Sequence, residues 1–162
     1  MSEFTHFDEK GNAHMVDVSD KDITRRTASA QGTISVSSEV MNAVIGKKIK
    51  KGDVLTVAQV AGIMGTKRTS DLIPMCHPLS LTNASVTFDI DEDTCTITAV
   101  CTAVCEGKTG VEMEVLTGTA IALLTIYDMC KSIDKRMVIS DIHLIEKTGG
   151  KSGEFRFEST GK

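Results

Sequence analysis

The stretch Thr109–Lys131, TGVEMEVLTGTAIALLTIYDMCK, decides how the rest of the chain is read. It contains no proline, and its Val, Met, Leu, Ile and Ala content is that of a buried helix about 33 Å long. Thr109 followed by Glu112 fits a capping box, which predicts a helix start at Thr109. Carboxylates crowd the first turn, while Lys131, Lys135 and Arg136 lie at or past the end, as the helix dipole prefers. These features describe a structural helix. Asp128 and Lys131 go further, because at i,i+3 they stand about 60° apart around the axis and are neighbours. An acid and an amine on an apolar helix cost free energy to bury unless they pair or do chemistry. Taken alone, the pair reads as a structural ion pair or as catalytic machinery. Glu114 shares the stripe, within about 40° of Asp128 but about 21 Å away along the axis. That is too far for both to serve one small reacting group. Either one long ligand spans the stripe, or each belongs to a different pocket shared with a neighbouring chain; the second also uses the uncovered surfaces and is favoured.

Outward from this helix, the chain alternates elements. Thr24 to Val36 places Ala28, Ala30, Gly32, Ile34 and Val36 on one face and Ser29, Gln31, Thr33 and Ser35 on the other, a strand pattern. Ser37 caps a short helix, Val40 to Ile45, ended by Gly46. Asp53 caps a second helical stretch that reaches Lys67–Asp71. Pro74 and Pro78 then bracket Met75-Cys76-His77, predicting a stiff, extended tripeptide. Two strands joined by Asp91-Glu92-Asp93-Thr94 follow, with Cys95, Cys101 and Cys105 on one face as small buried hydrophobes. A last strand, Met137 to Lys147, should put Val138, Ile142 and Leu144 on one side. The fold expected is α+β: ferredoxin-like βαββαβ with an additional helix, an antiparallel sheet with helices on one face. The expected organisation is a flexible arm over 1–22, one catalytic domain over 23–153 and a polar tail over 154–162. Val100 and Val104, opposite the cysteines, suggest that other subunits cover the second sheet face, so an oligomer is expected.

Bulk properties narrow the function. A chain of 162 residues suits one core. A net charge of −4 argues against a general nucleic-acid binder. The cations are uneven, however: Lys47, Lys48, Lys50 and Lys51 cluster, Lys67 adjoins Arg68, and Lys147 and Lys151 bracket two glycines. Local pockets for a compact anion remain open. The polar N-terminus lacks a signal-peptide core, and no membrane span is expected. Five cysteines with no C-x-x-C pair argue against a disulfide framework and a zinc site. A reducing, cytoplasmic setting is expected.

Several familiar motifs fail. GGKSG lacks the first Walker A glycine, since Ile145 stands there, and GKT at Gly107 has Thr102 at that place. Cys76-His77 reads as a nucleophile and base, as metal ligands, as a structural loop, or, best, with His77 contacting an anionic or heteroaromatic ligand. Lys51, Lys67, Arg68 and Lys147 are either solvated lysine and arginine side chains or a convergent polyphosphate site.

Four blocks carry a resemblance: HMVDVS from His14, KGDVLTVAQVAGIMGTKRTSDLIPMCHPL from Lys51, GKTGVEMEVLTGTAIALLTIYDMCK from Gly107 and KTGGKSG from Lys147. Together they closely resemble the cyclic pyranopterin monophosphate synthases (MoaC), the C component of molybdenum cofactor biosynthesis. The resemblance implies a lyase that converts 3′,8-cyclo-7,8-dihydroguanosine 5′-triphosphate to cyclic pyranopterin monophosphate and pyrophosphate. It implies a hexamer, a trimer of dimers, with active sites at subunit interfaces. By motif, Asp128 and Lys131 become the catalytic pair. Met75, Cys76, His77, Met113 and Glu114 line the substrate site with Glu112 beside them, and Lys51, Lys67 and Lys147 match its cationic positions. A lysine with a pKa lowered by burial and nearby cations would serve as general acid or base. No metal or other cofactor is required, though Mg²⁺ could accompany the triphosphate. The expected partners are the nucleotide-derived substrate and copies of the chain, with no nucleic acid and no membrane. Two rivals are a non-catalytic oligomer that binds purine nucleotides and a Cys-His hydrolase dependent on Cys76.

Overall fold

Alternation of small apolar residues with hydroxyl-bearing ones builds the centre of the sheet. In the computed structural model, which describes residues 6–47 and 53–158, strand β1 (Thr24–Ser35) buries Ala28, Ala30 and Ile34 on one face. Strand β3 (Thr96–Gly107) does the same with Ile97, Ala99, Cys101, Ala103 and Cys105. The two pair antiparallel from Thr24↔Gly107 to Ser35↔Thr96. Strand β2 (Leu81–Asp91) joins β3 through a turn in which the Asp91 carboxylate accepts from the Asp93 and Thr94 amides. Cys95 sits in that turn at a φ of 52°, not on the strand with the other cysteines. Strand β4 (Val138–Thr148) pairs with the free edge of β1, and a two-residue strand, β5 (Phe155–Arg156), extends the sheet beyond the last strand read from the sequence. The order β2-β3-β1-β4-β5, antiparallel at every step, contains the ferredoxin-like arrangement.

Helices α1 (Ser38–Ile45), α2 (Val54–Thr66) and α3 (Thr69–Leu72) lie between β1 and β2, and α4 (Glu112–Cys130) lies between β3 and β4. The caps are local chemistry. Ser37 Oγ accepts from the Val40 amide, and the Asp53 carboxylate accepts from the Thr56 amide. Helix α4 packs on β1, β3 and β4, with α2 beside it. Their close approach depends on missing side chains. A β-carbon at Gly118 would stand 2.7 Å from both Cys101 Sγ and Thr66 Cγ2, and one at Gly62 would stand 2.9 Å from Val86 Cγ2. By length and composition α4 could cross a bilayer, although no span is expected from the sequence. Here it is the core helix, with Val115, Ala122, Leu123 and Ile126 fully buried against the sheet and α2.

Three local expectations are corrected. Helix α4 starts at Glu112, not Thr109, with Val111 as its N-cap and no side-chain cap, because the Glu112 carboxylate is turned to Lys147 instead. Met75 is not extended: the Cys76 amide donates to the Ile73 carbonyl, so Pro74-Met75 forms a turn, and the chain runs irregularly from Cys76 onward. Val138 does not share a face with Leu144. The register shift against β1 between Gln31 and Thr33, with Asp141 at a φ of 55°, puts Ile139 opposite Ile34 and leaves Val138 exposed opposite Ser35. The uncovered sheet face is also more hydroxylated than apolar: Ser29 bonds Thr102 at 2.8 Å and Thr33 bonds Thr98 at 3.3 Å, around Val100 and Val104.

Candidate active site

Helix α4 carries different chemistry at its two ends. At its N-terminus, Glu112, Met113 and Glu114 join the loop of Met75, Cys76 and His77 around a cavity of about 310 Å³. The turn at Ile73–Cys76 aims that loop at the helix, and Pro78 restrains its exit. His77 is anchored there, with Nε2 donating to the Val16 carbonyl at 2.7 Å. A carbonyl can only accept, so this nitrogen carries a proton.

Glu114 is the buried group of this end, 4% exposed. Burial pushes its carboxyl up to about 7, helped by the Glu112 charge and opposed by its own backbone N–H. It can therefore take or give a proton near neutrality. Burial, and secondarily the Glu114 charge, raises the Cys76 thiol above its ordinary range. A thiol held in its neutral form is a poor nucleophile, which weighs against the Cys-His hydrolase.

Glu112 lines the same cavity and also reaches a cation. Its Oε1 lies 2.9 Å from Lys147 Nζ, and the same ammonium donates to Ser152 Oγ at 2.8 Å. Beyond this pair opens a larger cavity of about 900 Å³, where Lys21, Arg26 and Lys151 face Asp17, Asp20 and Asp22. Lys21 lines both cavities, so the two are adjacent. Lys21 and Arg26 were not singled out from the sequence. A signal for Arg26 existed in the loop KTGGKSG: Gly149 and Gly150 adopt left-handed φ values of 91° and 79°, and a β-carbon at Gly150 would fall on Arg26 Nη1.

At the other end of α4, Lys131 is the C-cap and its Nζ lies 2.7 Å from Asp128 Oδ1. The pair is on the surface, with side chains 51% and 58% exposed, not in the apolar interior. The hydrogen bond and charge of Asp128 raise the lysine pKa, whereas the sequence reading expected burial to lower it. The cation is therefore favoured here, and Lys131 as it stands beside Asp128 is a weaker acid than an ordinary lysine. The helical rise separates Asp128 from Glu114 by about 21 Å, and Lys131 lies farther still. One chain thus brings together Met75, Cys76, His77, Glu112, Met113, Glu114 and Lys147, and leaves Asp128 and Lys131 apart. Lys67 is exposed as the C-cap of α2. Lys51 lies outside the described residues. Among the described residues no group of three or more His, Cys, Asp or Glu side chains is placed to hold a metal ion.

Comparison with known proteins adds an independent finding. Residues 15–150 match the model of the MoaC family. Cyclic pyranopterin monophosphate synthase from Clostridium perfringens (strain SM101 / Type A) is 59% identical over 156 residues, which is 96% of this chain and 99% of that protein. The proteins of the same name from Heliobacterium modesticaldum and Rhodospirillum rubrum are 57% identical over 155 residues and 58% identical over 151. The Heliobacterium match covers 96% of this chain and 98% of that protein, and the Rhodospirillum match covers 92% and 90%.

Proposed function

The chain belongs to the MoaC family, and from that premise we propose how its geometry performs the synthesis of cyclic pyranopterin monophosphate. It is a lyase of molybdenum cofactor biosynthesis, acting on 3′,8-cyclo-7,8-dihydroguanosine 5′-triphosphate and releasing pyrophosphate. The observation that carries this is a match at 59% identity to a cyclic pyranopterin monophosphate synthase, covering 96% of this chain and 99% of that protein.

The residues suit the chemistry. Rebuilding a guanine-derived ring into a pterin needs protons delivered to and taken from nitrogen and carbon. Lys131 transfers a proton once burial against substrate and nearby cations bring its pKa down from the raised value it has beside Asp128, and Asp128 orients it or accepts a second proton. Glu114, with a carboxyl that titrates near neutrality, recognises N–H groups of the ring from the cavity at the start of α4. Closure of the cyclic phosphate follows in-line displacement. A ribose-derived hydroxyl oxygen bonds to the α-phosphorus and gives its proton to a base. The bond from that phosphorus to the bridging oxygen breaks, and pyrophosphate leaves with the electron pair. Lys51, Lys67, Lys147 and His77 offset the charge that grows on the leaving group.

Because Glu114 and Asp128 are about 21 Å apart along α4, we further propose that Asp128 and Lys131 of one protomer complete the cavity of a neighbour, in a hexamer built as a trimer of dimers. Mg²⁺ enters only as a companion of the triphosphate, and the enzyme works in the cytoplasm. The experiment is Lys131→Ala. Pyrophosphate release should fall by at least about 10²-fold, the usual weight of a proton-transfer group, with nucleotide binding retained. Turnover near the wild-type rate would remove Lys131 from the chemistry. Loss of chemistry in Cys76→Ala with binding intact would favour the hydrolase instead.

A further inference from the structure

We infer that Glu112 is an internal stand-in for a substrate phosphate: it holds Lys147 in place while the site is empty and has to be displaced when a polyanion arrives. This rests on the function proposed above, since it requires Lys147 to meet the triphosphate. The Lys147 ammonium is gripped from two sides, by Glu112 Oε1 at 2.9 Å and by Ser152 Oγ at 2.8 Å. Both charged side chains are mostly withdrawn from water, Lys147 at 22% and Glu112 at 30% exposure. Two of its three N–H donors are thus committed before any ligand binds.

The pose of Glu112 has its own support in the backbone. The carboxylate folds back over Gly110, where an added β-carbon would fall on Oε2. Gly110 is not among the glycines with left-handed φ, so its backbone does not call for glycine. What the missing side chain provides is room for the carboxylate. Gly110, Glu112, Lys147 and Ser152 therefore form one unit that keeps a cation aimed and neutralised.

The consequence is selectivity by charge. An incoming anion competes with Glu112 for the same ammonium and is repelled by its carboxylate. A polyphosphate carries enough charge to displace it, and a single phosphate is at a disadvantage. Glu112 is thereby a positioning residue that lowers anion affinity, the opposite sign from a residue that holds substrate.

Calorimetric titration of the assembled full-length protein with pyrophosphate, and separately with inorganic phosphate, tests this. Glu112→Gln should tighten pyrophosphate by about fivefold, a modest part-buried ion-pair effect, and should narrow its advantage over inorganic phosphate. Gly110→Ala keeps the carboxylate but evicts it from its pose, and should shift affinity in the same direction. Lys147→Ala should weaken pyrophosphate. Unchanged or weaker binding in Glu112→Gln and Gly110→Ala, with Lys147→Ala still weakened, would overturn the stand-in role while leaving the phosphate site intact. Wild-type affinity in Lys147→Ala would overturn the role of Lys147 itself, and this inference with it.

Discussion

Glu114 is a single residue with a consequence that pH exposes. Its folded-state pKa is raised by burial, from 4.5 to about 7, so the fold favours the protonated carboxyl. That contribution is fully present below about pH 4.5 and is lost as the pH climbs through about 7. Glu114→Gln removes the titration. The stability of the Gln variant relative to wild type should therefore rise by on the order of 3 kcal/mol between about pH 4.5 and pH 8. Urea unfolding at several pH values measures it, and a difference independent of pH would mean the carboxyl ionises as it does in water. At this scale the sequence was legible wherever partners are close along the chain. Asp128 and Lys131 follow from helical spacing, and they meet as expected. Glu112 with Lys147 did not follow, because the capping box offered Glu112 a nearby role and only the tertiary fold brings β4 to the start of α4.

Helix α4 and the sheet beneath it carry most of the packing, and their contact is set by glycines as much as by large side chains. Gly118→Ala should destabilise by about 1–3 kcal/mol through overpacking, because the new methyl meets Cys101 Sγ and Thr66 Cγ2 at 2.7 Å. Helix propensity alone predicts the reverse, a gain of about 1 kcal/mol. A shift of the urea midpoint to lower concentration supports the close contact, and a shift upward excludes it. Strands β1 and β3 were readable because their alternation is unbroken over the whole pairing. Strand β4 was not, because two bulges change which face each side chain takes, and nothing in the local pattern marks Asp141 as left-handed. The proline spacing suggests extended chain at Pro74, whereas Pro74 starts a turn, a choice that depends on the Ile73 carbonyl meeting the Cys76 amide.

Across the whole molecule, strand order and helix placement follow the ferredoxin-like expectation, because right-length hydrophobic elements on one face leave few other ways to cover the sheet. The Asp128–Lys131 pair and the cavity that holds Glu114 lie at opposite ends of α4, so a single chain does not bring them together. The proposed hexamer would join them across subunits. A stable monomer with full activity, seen by light scattering, would contradict that assembly.

The most direct measurement is complementation between two variants, each inactive alone: Lys131→Ala, which damages one end of α4, and His77→Ala, which damages the cavity at the other. Co-expressed at equal levels, they should form mixed oligomers with about one quarter of wild-type pyrophosphate release, since about one site in four draws both intact halves from different chains. Mixed oligomers no more active than either variant alone would contradict a shared site.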